Sequence, residues 1–355
     1  MIGAAARVLI PSAISFAFGI ILAPLLAHYL YKFHAWKKRG GKGNGIGGGG
    51  TPIFDSLHKE REVSTPRMGG ILIWVSTLIT ALGLWGLGIF VGGPFAQLSF
   101  IDRSQTWLPL TALVVGALGG LFDDVLEVRE GNGGLRLRTR LLIVGLMGLF
   151  AAWWFYTKLG VSSVGVPFNG PLDLHVFFIP FFVLVTLATY AGGTIDGIDG
   201  LSGGVFSIIF MIYSSIAFVQ GQFTLAAFAA TVAGAILAFL WFNIPPARFY
   251  MSETGSMALT LALAITAFSA DAVGGGVGVL MLPIIAFPLF ATVITTLLQV
   301  FWKRYFGRKL FRIAPIHHHF EAIGWPPAKV TMRYWVMTII LGVLGLSLAL
   351  LGAGR

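Results

Sequence analysis

Residues 201–243 read LSGGVFSIIFMIYSSIAFVQGQFTLAAFAATVAGAILAFLWFN and contain no Asp, Glu, Lys or Arg. A helix needs about 20 consecutive apolar residues to cross the hydrocarbon core of a bilayer. This stretch is long enough for two such helices, one before and one after residues 220–222. It therefore predicts two neighbouring membrane-spanning helices joined by a short turn.

The rest of the chain repeats this pattern. Of the 355 residues, 56% are hydrophobic and 11% are charged, whereas a soluble domain is about 25% charged. The apolar stretches long enough to span a bilayer are the ten at residues 8–31, 69–92, 105–122, 141–157, 174–192, 201–219, 223–243, 255–270, 276–301 and 334–352. We therefore predict an all-α, polytopic membrane protein with about ten transmembrane helices, forming a single domain over residues 1–355.

The basic residues indicate which face of these helices lies in the cytoplasm. Twenty Lys and Arg fall in the loops of one face, and four fall on the other. The positive-inside rule places the basic face in the cytoplasm, and an even number of spans then makes both termini extracytoplasmic. The first apolar run is too long for the core of a cleaved signal peptide, so it predicts a retained helix. Because the basic excess follows topology, we predict no nucleic-acid partner.

Two further features limit the chemistry. The chain has no cysteine, which excludes disulfide bonds and thiolate metal sites. The Gly-rich run at residues 40–50 lacks the Gly-Lys-Ser/Thr ending of a phosphate-binding loop. It predicts a flexible cytoplasmic loop at about residues 38–52.

Acidic residues also cluster on the cytoplasmic face, where 11 of the 14 lie. The positive-inside rule does not require this, so the acids need another explanation. Asp123 and Asp124 end the third span, and two adjacent carboxylates repel each other and favour a bound cation. A solvated helix end is the simpler alternative. On the opposite face, we expect Asp271 to be a solvated helix end.

The second acidic cluster is the segment GGTIDGIDGL at residues 192–201. Asp196 and Asp199 would share one face if the segment were helical, and the glycines would let the backbone approach a ligand closely. The spacing does not match a calcium-binding EF-hand loop. A flexible Gly-rich turn is the alternative.

Two more segments place polar residues on this face. Residues 242–256 read FNIPPARFYMSETGS, where the prolines stop one helix and Ser252 and Glu253 begin the next. Helix capping alone would also account for this segment. Residues 314–321 read APIHHHFE, and histidine binds metals when neutral and phosphate when charged. A His-rich tract for bulk metal binding is the alternative.

Four separated segments thus bring Asp, Glu and His to the cytoplasmic surface, among basic loops. A phosphorylated substrate requires this combination, because carboxylates hold Mg²⁺, the metal neutralises phosphate oxygens, and Lys or Arg attract the anion. A transporter would instead carry ionisable residues near the middle of its spans. The spans contain almost none, so a transporter is the less favoured hypothesis.

The same segments resemble a known family along nearly the whole chain. The matching segments, in the family's order, are TPRMGG at 65–70, the Asp123-Asp124 pair, DGIDGL at 196–201, Asn243 with MSETGS at 251–256, and APIHHHFE at 314–321. They resemble the motifs of the polyprenyl-phosphate N-acetylhexosamine-1-phosphate transferases. The APIHHHFE segment is similar to the His motif of the family branch that uses a muramoyl-pentapeptide nucleotide.

The resemblance implies a reaction, a cofactor and partners. The chain would transfer phospho-N-acetylmuramoyl-pentapeptide from UDP-N-acetylmuramoyl-pentapeptide to undecaprenyl phosphate, giving lipid I and UMP, with Mg²⁺ as cofactor. It would act in peptidoglycan synthesis as a homodimer among the membrane lipids of the bacterial inner (cytoplasmic) membrane, with its active site on the cytoplasmic face. The alternatives are a paralogue that uses another UDP-N-acetylhexosamine and a catalytically impaired relative.

The resemblance also implies roles for individual residues. Those expected to be catalytic are Asp123, Asp124, His317, His318 and His319. Those expected to bind the metal are Glu253, Asp123 and Asp124. Those expected to bind substrate are Thr65, Arg67, Asp196, Gly197, Asp199, Asn243, Tyr250 and His318.

Several positions depart from the family's motifs. The metal-binding Asp is Glu253 here, and two family Lys near the site are replaced by Glu62 and Glu127. Two family Asn positions before DGIDGL hold Tyr190 and Gly193. The basic residues that could restore the lost positive charge are Arg61, Arg67 and Arg129. Of these, we predict that Arg67, which replaces a Thr, reaches a substrate phosphate.

Overall fold

The computed structural model describes residues 2–38, 40, 56, 62–130, 134–272 and 276–352. These residues are almost entirely helical, which confirms the predicted all-α class. The described helices are α1 (Ile2–Lys32), α2 (Gly70–Phe90), α3 (Pro94–Leu98), α4 (Trp107–Glu130), α5 (Leu137–Lys158), α6 (Phe178–Gly192), α7 (Leu201–Val219), α8 (Phe223–Asn243), α9 (Ser252–Ala272), α10 (Leu282–Ile285), α11 (Phe287–Phe306), α12 (Ile316–Ala322) and α13 (Pro327–Gly352). The predicted Gly-rich loop at about 38–52 lies outside the described residues, except for Lys38 and Gly40.

Nine helices in the described part of the chain are long and apolar enough to cross a membrane. They are α1, α2, α4, α5, α6, α7, α8, α9 and α13. Each coincides with a predicted span, so the polytopic architecture is confirmed. The remaining predicted span, 276–301, overlaps the 20-residue helix α11, which extends to Phe306 and carries Lys303 and Arg304 in its last turn. Helix α11 begins only at Phe287, and Pro288 lies in its first turn, where proline is accepted.

A short hairpin interrupts the helices after α5, at the end opposite the acidic clusters. Its strands β1 (Ser163–Val166) and β2 (Gly170–Asp173) pair antiparallel, with Ser163 opposite Asp173 and Val166 opposite Gly170. The sequence does not predict this hairpin, because each strand is only four residues long and follows a long apolar helix.

Helix α9 is the most deeply buried of the nine spans. Helix α4 packs directly against it through Gly116 and Gly120. A Cβ atom at Gly120 would collide with the carbonyl oxygen of Glu253, so the two backbones meet without side chains between them. Small residues allow this close approach in membranes, where no hydrophobic effect drives helices together. The contact fixes the end of α4 beside the start of α9.

The segment before α2 runs alongside the segment before α9. The carbonyl of Pro66 accepts a hydrogen bond from the N–H of Tyr250 at 2.8 Å. The N–H groups of Gly69 and Gly70 donate to the carbonyls of Tyr250 and Met251 at 2.7 and 3.1 Å. These bonds bring the TPRMGG and MSETGS segments, which are far apart in sequence, to the same helix ends.

The expectation that Asp271 is a solvated helix end is wrong. Its side chain is buried and accepts hydrogen bonds from the N–H of Gly278 and, at 3.3 Å, from the N–H of Val279. The backbone at Gly278 and Val279 thus lies against the end of α9. The carboxylate therefore meets backbone donors where the sequence indicates water.

Candidate active site

The predicted site segments converge at one set of helix ends. Asp124, near the end of α4, accepts a hydrogen bond from Ser252 Oγ at 2.7 Å. Asp196 accepts one from the N–H of the same serine at 2.8 Å. A Cβ atom at Gly197 would lie 2.6 Å from Nε2 of His318. Residues from four distant segments therefore form one cluster.

Asp124 is fully buried and has several donors. Its Oδ2 accepts hydrogen bonds from Ser252 Oγ at 2.7 Å, from the N–H of Thr254 at 2.9 Å and from Thr254 Oγ1 at 2.6 Å. Its Oδ1 lies 3.3 Å from a guanidinium nitrogen of Arg67. A carboxylate is favoured at the amino end of a helix, where the helix dipole is positive. Asp124 therefore ties α4 to the start of α9.

Asp123 is also fully buried, but one of its oxygens has fewer contacts. Oδ1 accepts hydrogen bonds from the N–H of Leu135 at 2.5 Å and from Arg140 Nε at 3.1 Å. Oδ2 lies 2.9 Å from Arg140 Nη2, but it accepts no hydrogen bond of good geometry from the described residues. Of the two carboxylate oxygens of Asp123, Oδ2 thus accepts fewer hydrogen bonds.

Arg140 lies between Asp123 and Glu253. Its Nη1 is 2.7 Å from Oε1 of Glu253, and Tyr190 Oη donates to the other oxygen of that carboxylate at 3.4 Å. The planar guanidinium thus binds carboxylates from α4 and α9 at once. The sequence counts Arg140 only as a loop charge. A basic residue in the first turn of a helix opposes the helix dipole, and this signal could have marked Arg140 as functional.

The DGIDGL segment forms a turn rather than a helix. Asp196 accepts hydrogen bonds from Ser202 Oγ at 2.6 Å and from the N–H of Ser252 at 2.8 Å. Burial raises the pKa of Asp196 above its ordinary value, although both serines oppose the rise. Asp199 instead accepts a hydrogen bond from the N–H of Ala247 at 3.2 Å. The two aspartates therefore contact different residues of the 242–256 segment and do not share a helical face.

Asn243 links the DGIDGL segment to the residues before α9. Its buried side chain accepts a hydrogen bond from the N–H of Gly200 at 3.0 Å and donates one to the carbonyl of Phe249 at 2.9 Å. Tyr250 and Thr65 lie half-buried on the two segments that run side by side before α9 and α2. Thr65 and Tyr250 thus lie on the segments that carry Arg67 and Ser252, respectively, to the carboxylate cluster.

The three histidines at residues 317–319 have different neighbours. His317 and His318 are buried beside the DGIDGL segment, and Nδ1 of His318 lies 2.7 Å from Oε2 of Glu321. A neutral His318 that donates from Nδ1 leaves Nε2, the atom beside that segment, as an acceptor. His319 instead accepts a hydrogen bond at Nδ1 from the N–H of Arg312 at 3.2 Å. Burial and the charge of Arg312 lower the pKa of His319. His317 and His318 therefore lie against the DGIDGL segment, whereas His319 contacts Arg312.

Three charged residues that depart from the family's motifs, Glu62, Glu127 and Arg67, belong to a continuous series of ion pairs that ends at Asp124. Lys37 Nζ lies 3.0 Å from Glu62 and 3.2 Å from Glu127. Arg67 Nη2 lies 2.9 Å from Glu127 and 3.3 Å from Asp124. We call this series, from Glu62 through Lys37, Glu127 and Arg67 to Asp124, the salt-bridge chain. It places a positive charge on either side of Glu127.

The sequence predicts only part of this arrangement. Among the residues expected to restore positive charge, Arg67 takes part in the salt-bridge chain. Arg61 lies outside the described residues, and Arg129 accepts a hydrogen bond from Lys38 Nζ at its carbonyl oxygen, at 2.6 Å. Lys37 was missed, because nothing in its local sequence distinguishes it from the other basic residues after α1.

The carboxylates fit a metal ion. One oxygen from each of three buried residues, Asp123, Asp124 and Glu127, lies within 4.8 Å of the others. Among the described residues, the ionisable groups in contact here are five carboxylates and three basic side chains, which leaves two negative charges when all are ionised. A divalent cation would balance them, and Mg²⁺ prefers oxygen ligands of this kind. Glu253, predicted as a metal ligand, lies outside the group of three but shares Arg140 with Asp123.

A comparison with protein families identifies the class. Residues 106–271 match the family model described as glycosyl transferase family 4. That range contains Asp123, Asp124, the DGIDGL segment and Glu253. This match, together with the bundle of apolar helices and the carboxylates gathered at one end, indicates a membrane-embedded glycosyl transferase.

Curated relatives identify the family within that class. The chain is 32% identical to the phospho-N-acetylmuramoyl-pentapeptide-transferase of Caldanaerobacter subterraneus subsp. tengcongensis, over 79% of this chain and 83% of that protein. It is 32% identical to that of Clostridium kluyveri, over 80% of this chain and 85% of the relative. The corresponding protein of Clostridium botulinum is 29% identical over 93% of both chains. The chain belongs to the phospho-N-acetylmuramoyl-pentapeptide-transferase family, which confirms the resemblance of its motifs.

Proposed function

We propose that this chain transfers phospho-N-acetylmuramoyl-pentapeptide from its UDP-activated form to undecaprenyl phosphate. An oxygen of the lipid phosphate attacks the sugar-proximal phosphorus of the nucleotide. The bond from that phosphorus to the bridging oxygen breaks, and UMP leaves with the bridging oxygen. The lipid product is lipid I. One observation carries the proposal: the carboxylates, basic side chains and histidines of four distant motifs meet at one set of helix ends in a member of this family.

The position of the site supports a reaction between a soluble and a lipid substrate. Asp123 and Asp124 lie near the end of a membrane-spanning helix, and Glu253 lies at the start of another. A nucleotide can reach such a site from the water, while the lipid phosphate reaches it from the bilayer surface. The bias of 20 basic residues to this face supports its assignment to the cytoplasmic side of the bacterial inner membrane. The single domain over residues 1–355 and the homodimer stay predictions.

Asp123 is the carboxylate that we assign to the attacking phosphate. Its Oδ2 lacks a hydrogen bond of good geometry from the described residues, whereas Oδ2 of Asp124 is occupied by Ser252 and Thr254. Asp123 Oδ2 can therefore accept a proton from the lipid phosphate or orient its oxygen towards the phosphorus. Asp124 keeps α4 and α9 in register and presents Arg67 to the site.

Asp123, Asp124 and Glu253 are the residues that we propose to hold Mg²⁺. When bound, the ion supplies positive charge to the phosphate oxygens and to the leaving UMP. The surplus of two negative charges among the described residues of the cluster supports this assignment. Arg140 holds Asp123 and Glu253 together on the side of the cluster that faces α5.

The substrate-binding residues surround this centre. Arg67 provides a cation for a phosphate of the nucleotide, and Nε2 of His318 provides a hydrogen-bonding atom beside the DGIDGL segment. The residues that we propose to line the uridine and diphosphate site are Thr65, Arg67, Asp196, Gly197, Asp199, Asn243, Tyr250 and His318. The backbone of Gly197 allows His317 and His318 to approach, because a side chain there would meet both rings.

Release of UMP by the purified protein tests the proposal. Each candidate UDP-sugar is supplied in turn with undecaprenyl phosphate and Mg²⁺, and matched reactions contain a chelator or omit the lipid. We expect UMP only from the muramoyl-pentapeptide nucleotide, and only when both the lipid phosphate and Mg²⁺ are present. Release from another UDP-N-acetylhexosamine would identify a paralogue, and no release from any sugar would identify an impaired relative.

A further inference from the structure

The salt-bridge chain has a part that the proposed reaction does not use. Arg67 Nη2 contacts Asp124, which belongs to the catalytic pair, and also Glu127, which lies one turn further along α4. An arginine side chain is long and flexible, so a single contact does not fix the direction of its guanidinium. Two carboxylates on the same helix face do fix it, because they hold the planar group from two sides.

Glu127 is itself held from the far side by Lys37. The two side chains are 3.2 Å apart, and each is only 11% exposed. Lys37 also contacts Glu62 at 3.0 Å. A buried carboxylate between two cations is strongly constrained, because removing either partner leaves a charge without compensation. Lys37 therefore acts on Arg67 through Glu127.

Hydrogen bonds to backbone groups also join the segments that carry Lys37, Arg67 and Glu127. The N–H of Arg67 donates to the carbonyl of Ala35 at 2.7 Å, and Lys38 Nζ donates to the carbonyl of Arg129 on α4 at 2.6 Å. The segment after α1 is thus bonded both to the segment before α2 and to the end of α4. Lys37 lies in the middle of this junction. These backbone hydrogen bonds fix where Lys37 lies. Lys37 in turn holds Glu127, which contacts the side chain of Arg67.

We propose that Glu127 and Lys37 are positioning residues that hold the Arg67 guanidinium beside Asp124, where it binds a phosphate of the nucleotide sugar. This inference rests on the proposed function, because it takes the nucleoside diphosphate sugar as the ligand of Arg67. The family's motifs have a lysine where this chain has Glu127. Here the cations come instead from Lys37 and Arg67, and Glu127 sets the distance between them.

The test measures equilibrium binding of UDP-N-acetylmuramoyl-pentapeptide to the full chain, without undecaprenyl phosphate. The variants are Glu127→Gln and Lys37→Met. We expect each to raise the Kd by about tenfold, the size expected when a charged hydrogen-bond partner is lost. The double variant should bind about as weakly as either single variant, because both residues act through Arg67. Lys37→Arg keeps the charge and should restore binding.

Two control substitutions remove the same charges elsewhere. Lys32→Met changes an exposed lysine in the last turn of α1, and Asp173→Asn changes an exposed carboxylate on the hairpin. Both should bind like the wild type. A purely structural role would lower the fraction of protein that binds without changing the Kd of that fraction, which the titration endpoint reports separately.

The outcomes separate the inference from the function on which it rests. Unchanged Kd values in both variants would overturn the positioning role, whatever the activity. A higher Mg²⁺ requirement in Glu127→Gln with an unchanged Kd would make Glu127 a metal ligand and would also overturn it. A wild type that binds the nucleotide but releases no UMP with the lipid would contradict the proposed transfer alone. A wild type that does not bind the nucleotide would contradict both.

Discussion

Helix α9 carries a carboxylate near each end, Glu253 half-buried and Asp271 buried, and the two have opposite surroundings. Glu253, in the first turn, lies 2.7 Å from Arg140 and shares that guanidinium with Asp123. Asp271, near the last residue, accepts hydrogen bonds from the backbone N–H groups of Gly278 and Val279. One acid therefore faces charged side chains, and the other faces fixed backbone donors.

This difference shows why burial of an acid does not by itself indicate chemistry. The dipole of a helix favours a carboxylate at its amino end and disfavours one at its carboxyl end. Asp271 therefore depends on backbone N–H groups, which also close the loop after α9. Glu253 lies at the favoured end of the helix and does not need backbone donors from a loop. Its neighbours are Arg140 and, through Arg140, Asp123, which are residue types that bind phosphates and metals. Substitutions at the two ends should separate activity from stability.

The largest effect is expected from Asp123→Asn. We expect the rate of UMP release per folded protein to fall by about 10³-fold, the range for loss of a general base or a positioned carboxylate. The amide keeps the shape of the side chain but lacks its charge. Asp102→Asn, on a helix-connecting segment at the opposite end of α4, is the matched control. A fully active Asp123→Asn variant would show that the charged groups around Asp123 and Glu253 do not serve the reaction.

Glu253→Gln should raise the concentration of Mg²⁺ that the reaction requires. We expect the Mg²⁺ concentration for half-maximal activity to rise by about 10- to 100-fold, the usual cost of removing a group that binds or orients a metal ligand. Glu253→Asp, which restores the residue typical of the family, should retain wild-type behaviour. An unchanged Mg²⁺ dependence in the Gln variant would show that Glu253 is not part of the metal site.

Gly120→Ala tests the helix contact that places Glu253 beside the Asp pair. An added Cβ would collide with the carbonyl oxygen of Glu253, and such overpacking costs about 1–3 kcal/mol of unfolding free energy. We therefore expect a lower thermal midpoint together with a lower rate. Gly83→Ala on α2, where nothing lies within 4 Å of the new atom, should change neither. Equal behaviour of the two variants would contradict the close packing of α4 on α9.

The smallest effect on activity is expected from Asp271→Asn. The variant should lose about 1–3 kcal/mol of stability, because a buried backbone donor is left facing an amide group instead of a carboxylate oxygen. The rate of UMP release per folded protein should stay close to that of the wild type. The thermal midpoint and the rate are measured on the same preparation. A large loss of rate without a loss of stability would show that both ends of α9 serve the reaction.

The sequence predicts the helices well, because a membrane span is a local property of about 20 apolar residues. The nine confirmed spans follow from that rule alone. The late start of α11 and the hairpin after α5 do not, because Pro288 and four-residue strands are weak signals within long apolar runs. The convergence of Asp124, Asp196 and His318 was also predictable, since their motifs all fall at the same ends of the predicted spans.

The ion pairs of the site were not predictable, because each joins residues that are far apart in the chain. Arg140 and Glu253 are 113 positions apart, and Lys37 and Glu62 flank a segment that the sequence shows only as a Gly-rich linker. The contacts of Asp271 are local, since its donors lie seven and eight positions away, but an apolar, Gly-rich sequence does not show that their N–H groups turn back to the helix end. Charge and spacing thus locate the site, but tertiary contacts decide which charges pair.

The most direct test of the central claim follows the sugar-proximal phosphorus of the nucleotide. The muramoyl-pentapeptide nucleotide is labelled with radioactive phosphorus at that position and incubated with the wild-type protein, undecaprenyl phosphate and Mg²⁺. If this site transfers a phospho-sugar, the label must appear in the lipid product and be absent from the released UMP. Label in the nucleotide product or in inorganic phosphate would mean that a different bond breaks, and would contradict the account.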